Sequence, residues 1–203
     1  VVASGRALDA VRIVAVTKTF PVGHVRAAAA AGLRVVGENY AAELIAKREA
    51  ARDLDLTWHF VGALQTNKIA RVAAAADVLC SVSRVREIER IAAARPGARI
   101  YLEVDFTDVP TRPGAHPDEV AALAGRARAL GLDAAGIMTI APLDATLARA
   151  TFLATAALAD DVGLAERSMG MSDDLEIALA CGSTEIRVGR ALFGPRGATT
   201  GLA

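Results

Sequence analysis

Eight short β-rich runs recur along this chain, and each is followed by a stretch with helical spacing. The runs are Arg12–Val16, Arg34–Gly37, Thr57–Val61, Asp77–Ser81, Arg99–Val104, Ala134–Thr139, Glu166–Met169 and Glu185–Val188. The intervening segments are rich in Ala, Leu and Arg. Val85, Ile88, Ile91 and Ala92 repeat at about 3.6 residues, with Arg and Glu on the opposite face. Val25, Ala28 and Ala29 lead to the turn at Gly32, and Ala42, Leu44, Ile45 and Ala46 run into the polar end Lys47-Arg48-Glu49. Gly and Pro punctuate the junctions. Eight β/α repeats predict a single-domain α/β fold, a (β/α)8 TIM barrel spanning residues 1–203. An open doubly wound sheet is the alternative.

Composition narrows the function. Of 203 residues, 53% are hydrophobic and only 4% aromatic, so Ala-rich helices packed closely on a sheet are favoured over a β-sandwich. Lys+Arg and Asp+Glu number 23 each and are scattered, so no net field attracts nucleic acid or an anionic membrane. No run of about 18 apolar residues predicts a membrane span. Cys80 and Cys181 match no metal spacing and read as small buried residues of a cytoplasmic protein.

Barrel sites form where strands end, so the strand ends hold the candidates. Lys18 closes the apolar run Ile13-Val14-Ala15-Val16-Thr17. An amine beside a buried strand shifts its pKa readily and can condense with an aldehyde, although charged residues also mark a strand's exit into solvent. Ser172 precedes Asp173-Asp174-Leu175, where its hydroxyl caps a helix or donates to an anion. Gly189 follows the eighth run, where it satisfies a turn or lets the backbone approach a ligand. Arg187, inside Glu185-Ile186-Arg187-Val188, points to solvent or is held inside by an acceptor. The loops after strands seven and eight are the usual phosphate site of this fold. An amine after strand one and a phosphate cradle beside it suit a phosphorylated aldehyde, and pyridoxal 5′-phosphate (PLP) has both parts. The irregular stretch Asp105–Pro117, with three prolines, reads as a surface loop near the barrel mouth.

Five ordered segments carry a resemblance. They are Val14-Ala15-Val16-Thr17-Lys18-Thr19, Gly37-Glu38-Asn39-Tyr40, Trp58-His59-Phe60-Val61-Gly62 with Leu64-Gln65-Thr66-Asn67-Lys68, Ser168-Met169-Gly170-Met171-Ser172-Asp173-Asp174, and Arg187-Val188-Gly189 with Phe193-Gly194. From about Val11 to Arg196 the chain resembles the pyridoxal phosphate homeostasis protein family, whose barrel is similar to the N-terminal domain of alanine racemase. The resemblance implies PLP held as a Schiff base on Lys18. It implies a phosphate held by Ser172, Gly189 and the backbone of Arg190, and Arg187 near the pyridine nitrogen. Asn39, His59 and Met138 would line the pocket. Asp105 stands where many members have Asn, and Arg112-Pro113-Gly114 where they have Lys-x-Gly. The family's N-terminal helix is largely absent from the 203 residues, and the Pro142–Thr151 connection reads as short.

The implied function is intracellular PLP homeostasis: binding the cofactor, masking its aldehyde and buffering or delivering it to apo PLP-dependent enzymes, as a monomer or alternatively a dimer. A racemase needs a tyrosine base on the opposite substrate face, and Tyr40 and Tyr101 are the only tyrosines. A PLP-dependent amino-acid racemase and a PLP-free Schiff-base aldolase or isomerase are the alternatives.

Overall fold

In the computed structural model, residues 6–7, 10–107, 109 and 111–195 are described. Eight parallel strands close into a barrel in sequence order. The elements are β1 Arg12–Val16, α1 Val22–Ala30, β2 Val35–Glu38, α2 Ala41–Ala50, β3 Thr57–Phe60, α3 Ile69–Ala75, β4 Val78–Val82 and α4 Val85–Ala94. They continue as β5 Arg99–Val104, a 3-10 turn Pro117–Glu119, α5 Val120–Ala129, β6 Asp133–Thr139 and α6 Ala145–Asp161. The last turn of the barrel is β7 Glu166–Ser168, α7 Leu175–Ala180, β8 Glu185–Val188 and α8 Arg190–Phe193. β1, β5 and β8 coincide with the runs read from sequence, and the other ends differ by one residue. The open-sheet alternative is excluded, because β1 pairs with β8 through Arg12↔Glu185 and Val14↔Arg187.

The strands are buried on both faces, as parallel barrel strands must be. Outward side chains such as Ala15, Val36, Trp58, Phe60, Leu79, Ile100, Leu102 and Ile137 form one core with the helices. Ala28, Ala73, Ala124 and Ala127 are buried on the helix side, and their small size lets helix and sheet approach closely. Inside, Val78, Cys80, Tyr101, Ala135 and Met138 cluster around the barrel axis. The interior is also polar: Glu185, Ser168, His59, Glu103 and Arg187 are all buried.

Local chemistry sets the helix starts. The Asp144 carboxylate accepts from the Thr146 and Leu147 N–H groups at 2.9 Å and begins α6. The Pro142–Thr151 segment, expected as a short connection, therefore mostly belongs to the 17-residue α6. Glu87 accepts from the Ser83 and Arg84 N–H groups and fixes the entry to α4. In the described part of the Asp105–Pro117 loop, Arg112 Nη2 donates to the Ile140 carbonyl just after β6 at 2.6 Å, which keeps the loop beside the mouth. The Ala115 N–H donates to Glu103 O, and the Asp105 N–H donates to Ala115 O, folding the segment back along β5. No helix among the described residues is long and apolar enough to cross a membrane.

Gly62, just after β3, packs on the backbone after β2. A Cβ there would lie 2.0 Å from the Asn39 carbonyl oxygen. Gly62→Ala is expected to destabilise the barrel by roughly 1–3 kcal/mol, the overpacking range. Gly125, inside α5, has open space around its Cα. Gly125→Ala is expected to stabilise by about 0.5–1 kcal/mol. Urea unfolding of both variants checks the pair, and equal shifts of the same sign would contradict this packing.

Candidate cofactor site at the C-terminal mouth

A cavity of about 510 Å³ opens at the C-terminal end of the barrel. That is the size of a small-molecule or cofactor site. Seven of the eight residues expected from sequence line it: Lys18, Asn39, Met138, Ser172, Arg187, Gly189 and Arg190. Phe20, Val61, Ile140 and Met171 add an apolar wall. Lys18 enters from the end of β1, Arg187 from β8, Met138 from β6 and Asn39 from the loop after β2.

His59 is not among the lining residues and corrects the expectation that it faces the pocket. It points inward from β3 but lies deeper, 1% exposed. Its Nδ1 is 3.5 Å from Glu185 Oε1 and 3.6 Å from Cys80 Sγ. Its ring meets Tyr101 edge-on, with centroids 6.0 Å apart. The resemblance gave the right face of the strand, but not the right layer. His59, Cys80 and Glu185 bring potential ligand atoms within 4.8 Å of one another. The carboxylate there is already engaged, accepting from Ser168 Oγ at 2.7 Å and from Arg12 at 3.2 Å. Burial pushes the Cys80 thiol well up. Burial also tends to raise the Glu185 carboxyl, but the bonds from His59, Ser168 and Arg12 outweigh it and hold it at about 2.

Arg187 resolves the sequence's ambiguity: it is inside, 5% exposed. Nη1 donates to the Ser168 carbonyl and to Ser168 Oγ, and Nη2 donates to Thr139 O at 2.8 Å. A buried guanidinium needs such acceptors. Burial lowers its pKa, and the carboxylates of Glu185 and Glu103 oppose that shift.

The loops after β7 and β8 form the other side. Ser172 does not cap α7, correcting one of its two readings. Asp174 stands at that N-cap, and Ser172 Oγ instead accepts from the Ala191 N–H at 3.2 Å. That bond ties the β7 loop to α8 and leaves the hydroxyl proton free to donate. Asp174 braces the same loop by accepting from the Met171 N–H at 2.6 Å. Gly189 has φ −119°, so no left-handed turn demands glycine. Close approach does: a Cβ would lie 3.1 Å from the Val16 carbonyl oxygen. The Arg190 side chain is largely exposed and paired with Asp173.

The donor set fits PLP. The cavity combines an amine, a hydroxyl and first-turn backbone on one side, a buried guanidinium at its inner end and an apolar wall. Sequence reasoning missed that wall, because Phe20, Ile140 and Met171 stand in loops without periodicity. It also read Lys47 as part of a polar helix end, whereas Lys47 is buried. Its spacing from Glu43, four residues, was the available signal.

Glu103 faces inward from β5, and burial pushes its carboxyl up to about 7, against the pull of Arg187. The folded pKa lies above the unfolded value. The favourable state is therefore the protonated one, complete below about pH 4.5 and lost as pH rises through about 7. Glu103→Gln keeps the uncharged form. It is expected to raise stability at pH 8 by on the order of 1–3 kcal/mol and to change little at pH 5. Thermal melts at the two pH values check this, and a larger gain at pH 5 would refute it.

Comparison with known proteins identifies the family. Residues 2–197 match the family model for the alanine racemase N-terminal domain. A pyridoxal phosphate homeostasis protein of Pseudomonas aeruginosa is 39% identical, covering 96% of this chain and 88% of that protein. The Escherichia coli protein of the same name is 34% identical, covering 95% and 88%. The solved structure of PipY from Synechococcus elongatus with PLP bound superposes with a TM-score of 0.83 at 35% identity, covering 95% of this chain and 96% of that one. An alanine racemase of Clostridium difficile shares the fold, with a TM-score of 0.74 at 15% identity over 54% of its chain. The chain belongs to the alanine racemase N-terminal domain family and, within it, to the pyridoxal phosphate homeostasis proteins.

Proposed function

We propose that this protein holds PLP at the barrel mouth and buffers or delivers it, without turning over a substrate. The carrying observation is the single cavity that gathers Lys18, Ser172, Gly189, Arg190 and Arg187. Bound there, PLP supplies an aldehyde that condenses with amines and a ring that withdraws electrons. Lys18 supplies the amine. Ser172 would donate a hydrogen bond from its hydroxyl to the phosphate, and the backbone of Gly189 and Arg190 would complete that cradle. Asn39 and Met138, which line the cavity, would help hold the ring. Arg187, fixed by Ser168 and Thr139, would supply a cation that disfavours protonation of the bound ring and so weakens it as an electron sink. His59 lies one layer below, beside Glu185.

The side chains argue for holding rather than catalysis. Racemisation needs acid–base groups on both faces of an α-carbon. Neither tyrosine lines the cavity: Tyr40 is half exposed beside it, and Tyr101 is buried with its hydroxyl bonded to Glu166. Among described lining residues the only carboxylate is Asp173, paired with Arg190. The recipients on this reading are apo PLP-dependent enzymes of the cytoplasm, and both Cys80 and Cys181 are free thiols, as suits that compartment.

A visible spectrum tests the assignment. Wild type with PLP should show a band near roughly 420 nm, fixed by borohydride and missing from Lys18→Ala. Saturation at about 100 times Kd should add roughly 2.7 kcal/mol of stability to wild type. No band at saturating PLP would overturn the reading. Steady alanine racemisation well above that of free PLP would move the protein among the enzymes.

A further inference from the structure

Behind Lys18 lies a buried charge cluster that the cavity itself does not use. Lys47, on α2, is 7% exposed. Its ammonium has three N–H donors and three acceptors: Thr17 O at 2.7 Å, Glu38 Oε1 at 2.8 Å and Glu43 Oε2 at 2.7 Å. Glu38 also accepts from Thr17 Oγ1 at 2.5 Å, and Glu43 accepts from the Thr19 N–H at 2.8 Å. Thr17 O belongs to the peptide unit before the Lys18 Cα, and the Thr19 N–H belongs to the one after it. Both peptide planes that orient Lys18 are thus held by one helix.

The backbone gives this hold a purpose. Thr19 has φ +67°, alone among described non-glycine residues in adopting a positive value. A β-branched residue avoids that region, and such a conformation persists only where its surroundings impose it. The bond from its N–H to Glu43 is such an imposition. Further bonds run from the Thr17 N–H to Gly37 O and from the Phe20 N–H to Thr17 O, each at 3.0–3.1 Å. Phe20, the next residue, lines the cavity.

We propose that Lys47, with Glu43 and Glu38, is a positioning device that clamps the strained Thr17-Lys18-Thr19 backbone and so aims the Lys18 amine into the cavity. This rests on the reading of the cavity as the PLP site. The three side chains touch no ligand; they act through the main chain of Lys18. Burial pushes the Glu38 carboxyl up, while the bonds from Lys47 and Thr17 oppose the shift. Burial acts the same way on Glu43, but there the bonds from Lys47 and Thr19 win and its carboxyl is lowered. The link to the Thr19 N–H is therefore a charge-assisted one.

The test has two readouts on Lys47→Met, Glu43→Ala and Glu43→Gln. The first, made without PLP, is exchange of the Thr19 amide followed by NMR. The second is the rate at which the visible band forms when PLP is added. In Lys47→Met and Glu43→Ala, Thr19 exchange should rise roughly tenfold or more while β5 and β6 amides keep their protection. Band formation should slow roughly tenfold or more, since a misaimed nucleophile loses orientation rather than basicity. Glu43→Gln retains an acceptor and should recover most of both. Unchanged Thr19 exchange or unchanged band formation in Glu43→Ala would overturn the clamp. Lys47→Met leaves two carboxylates facing each other, so should it not fold, the half-buried Glu43 site decides. A wild type that forms no band would refute the cavity assignment, and the exchange readout would still judge the clamp.

Discussion

Closure of the barrel between β1 and β8 is the constraint on which the site depends. The seam places Arg12 opposite Glu185 and Val14 opposite Arg187. A fully buried carboxylate at the seam must be compensated. Arg12, Ser168 and His59 do so from β1, β7 and β3. Removing those partners would leave the buried Glu185 charge uncompensated. The seam also brings the end of β1 against Gly189, so the amine of Lys18 and the loops after β7 and β8 face one space.

Charge inside this barrel is layered. At the N-terminal end Arg12 and Arg99 meet Glu166, in the middle Glu185 meets His59, and near the mouth Arg187 stands among carbonyl oxygens. A parallel barrel of this size has room for side chains along its whole axis. Here polar groups occupy much of that length, and Glu166, Glu185, His59, Ser168 and Arg187 are engaged by neighbours on other strands. The cost of ordering them is offset by mutual hydrogen bonding, and the outcome is a rigid floor under the cavity.

The fold was legible because its signal is collective. Eight runs alternating with Ala-rich helical segments leave few architectures, and errors of one residue at strand ends do not alter the count. The lining of the cavity was legible for a related reason: Lys18, Ser172, Arg187 and Gly189 stand at strand ends, where chain order alone fixes their place. Depth was not legible. His59 has the same inward parity as a lining residue, and only the stagger of strands around the barrel separates the two layers. The role of Lys47 depends on α2 crossing behind the end of β1, a contact between residues thirty positions apart. The path of Asp105–Pro117 depends on backbone bonds to Glu103 that no side-chain pattern announces.

Two of the three acceptors for Arg187 are main-chain carbonyls, those of Ser168 and Thr139. Substitution cannot delete a carbonyl. The aim of this guanidinium is therefore written into the spacing of β6, β7 and β8 rather than into the identity of their side chains. Neighbouring positions can drift in sequence while the cation stays where it is. Only a slip in strand register, which would also turn every inward residue outward, would move it. The electrostatic character of the cavity floor is inherited with the sheet, and is as durable as the fold.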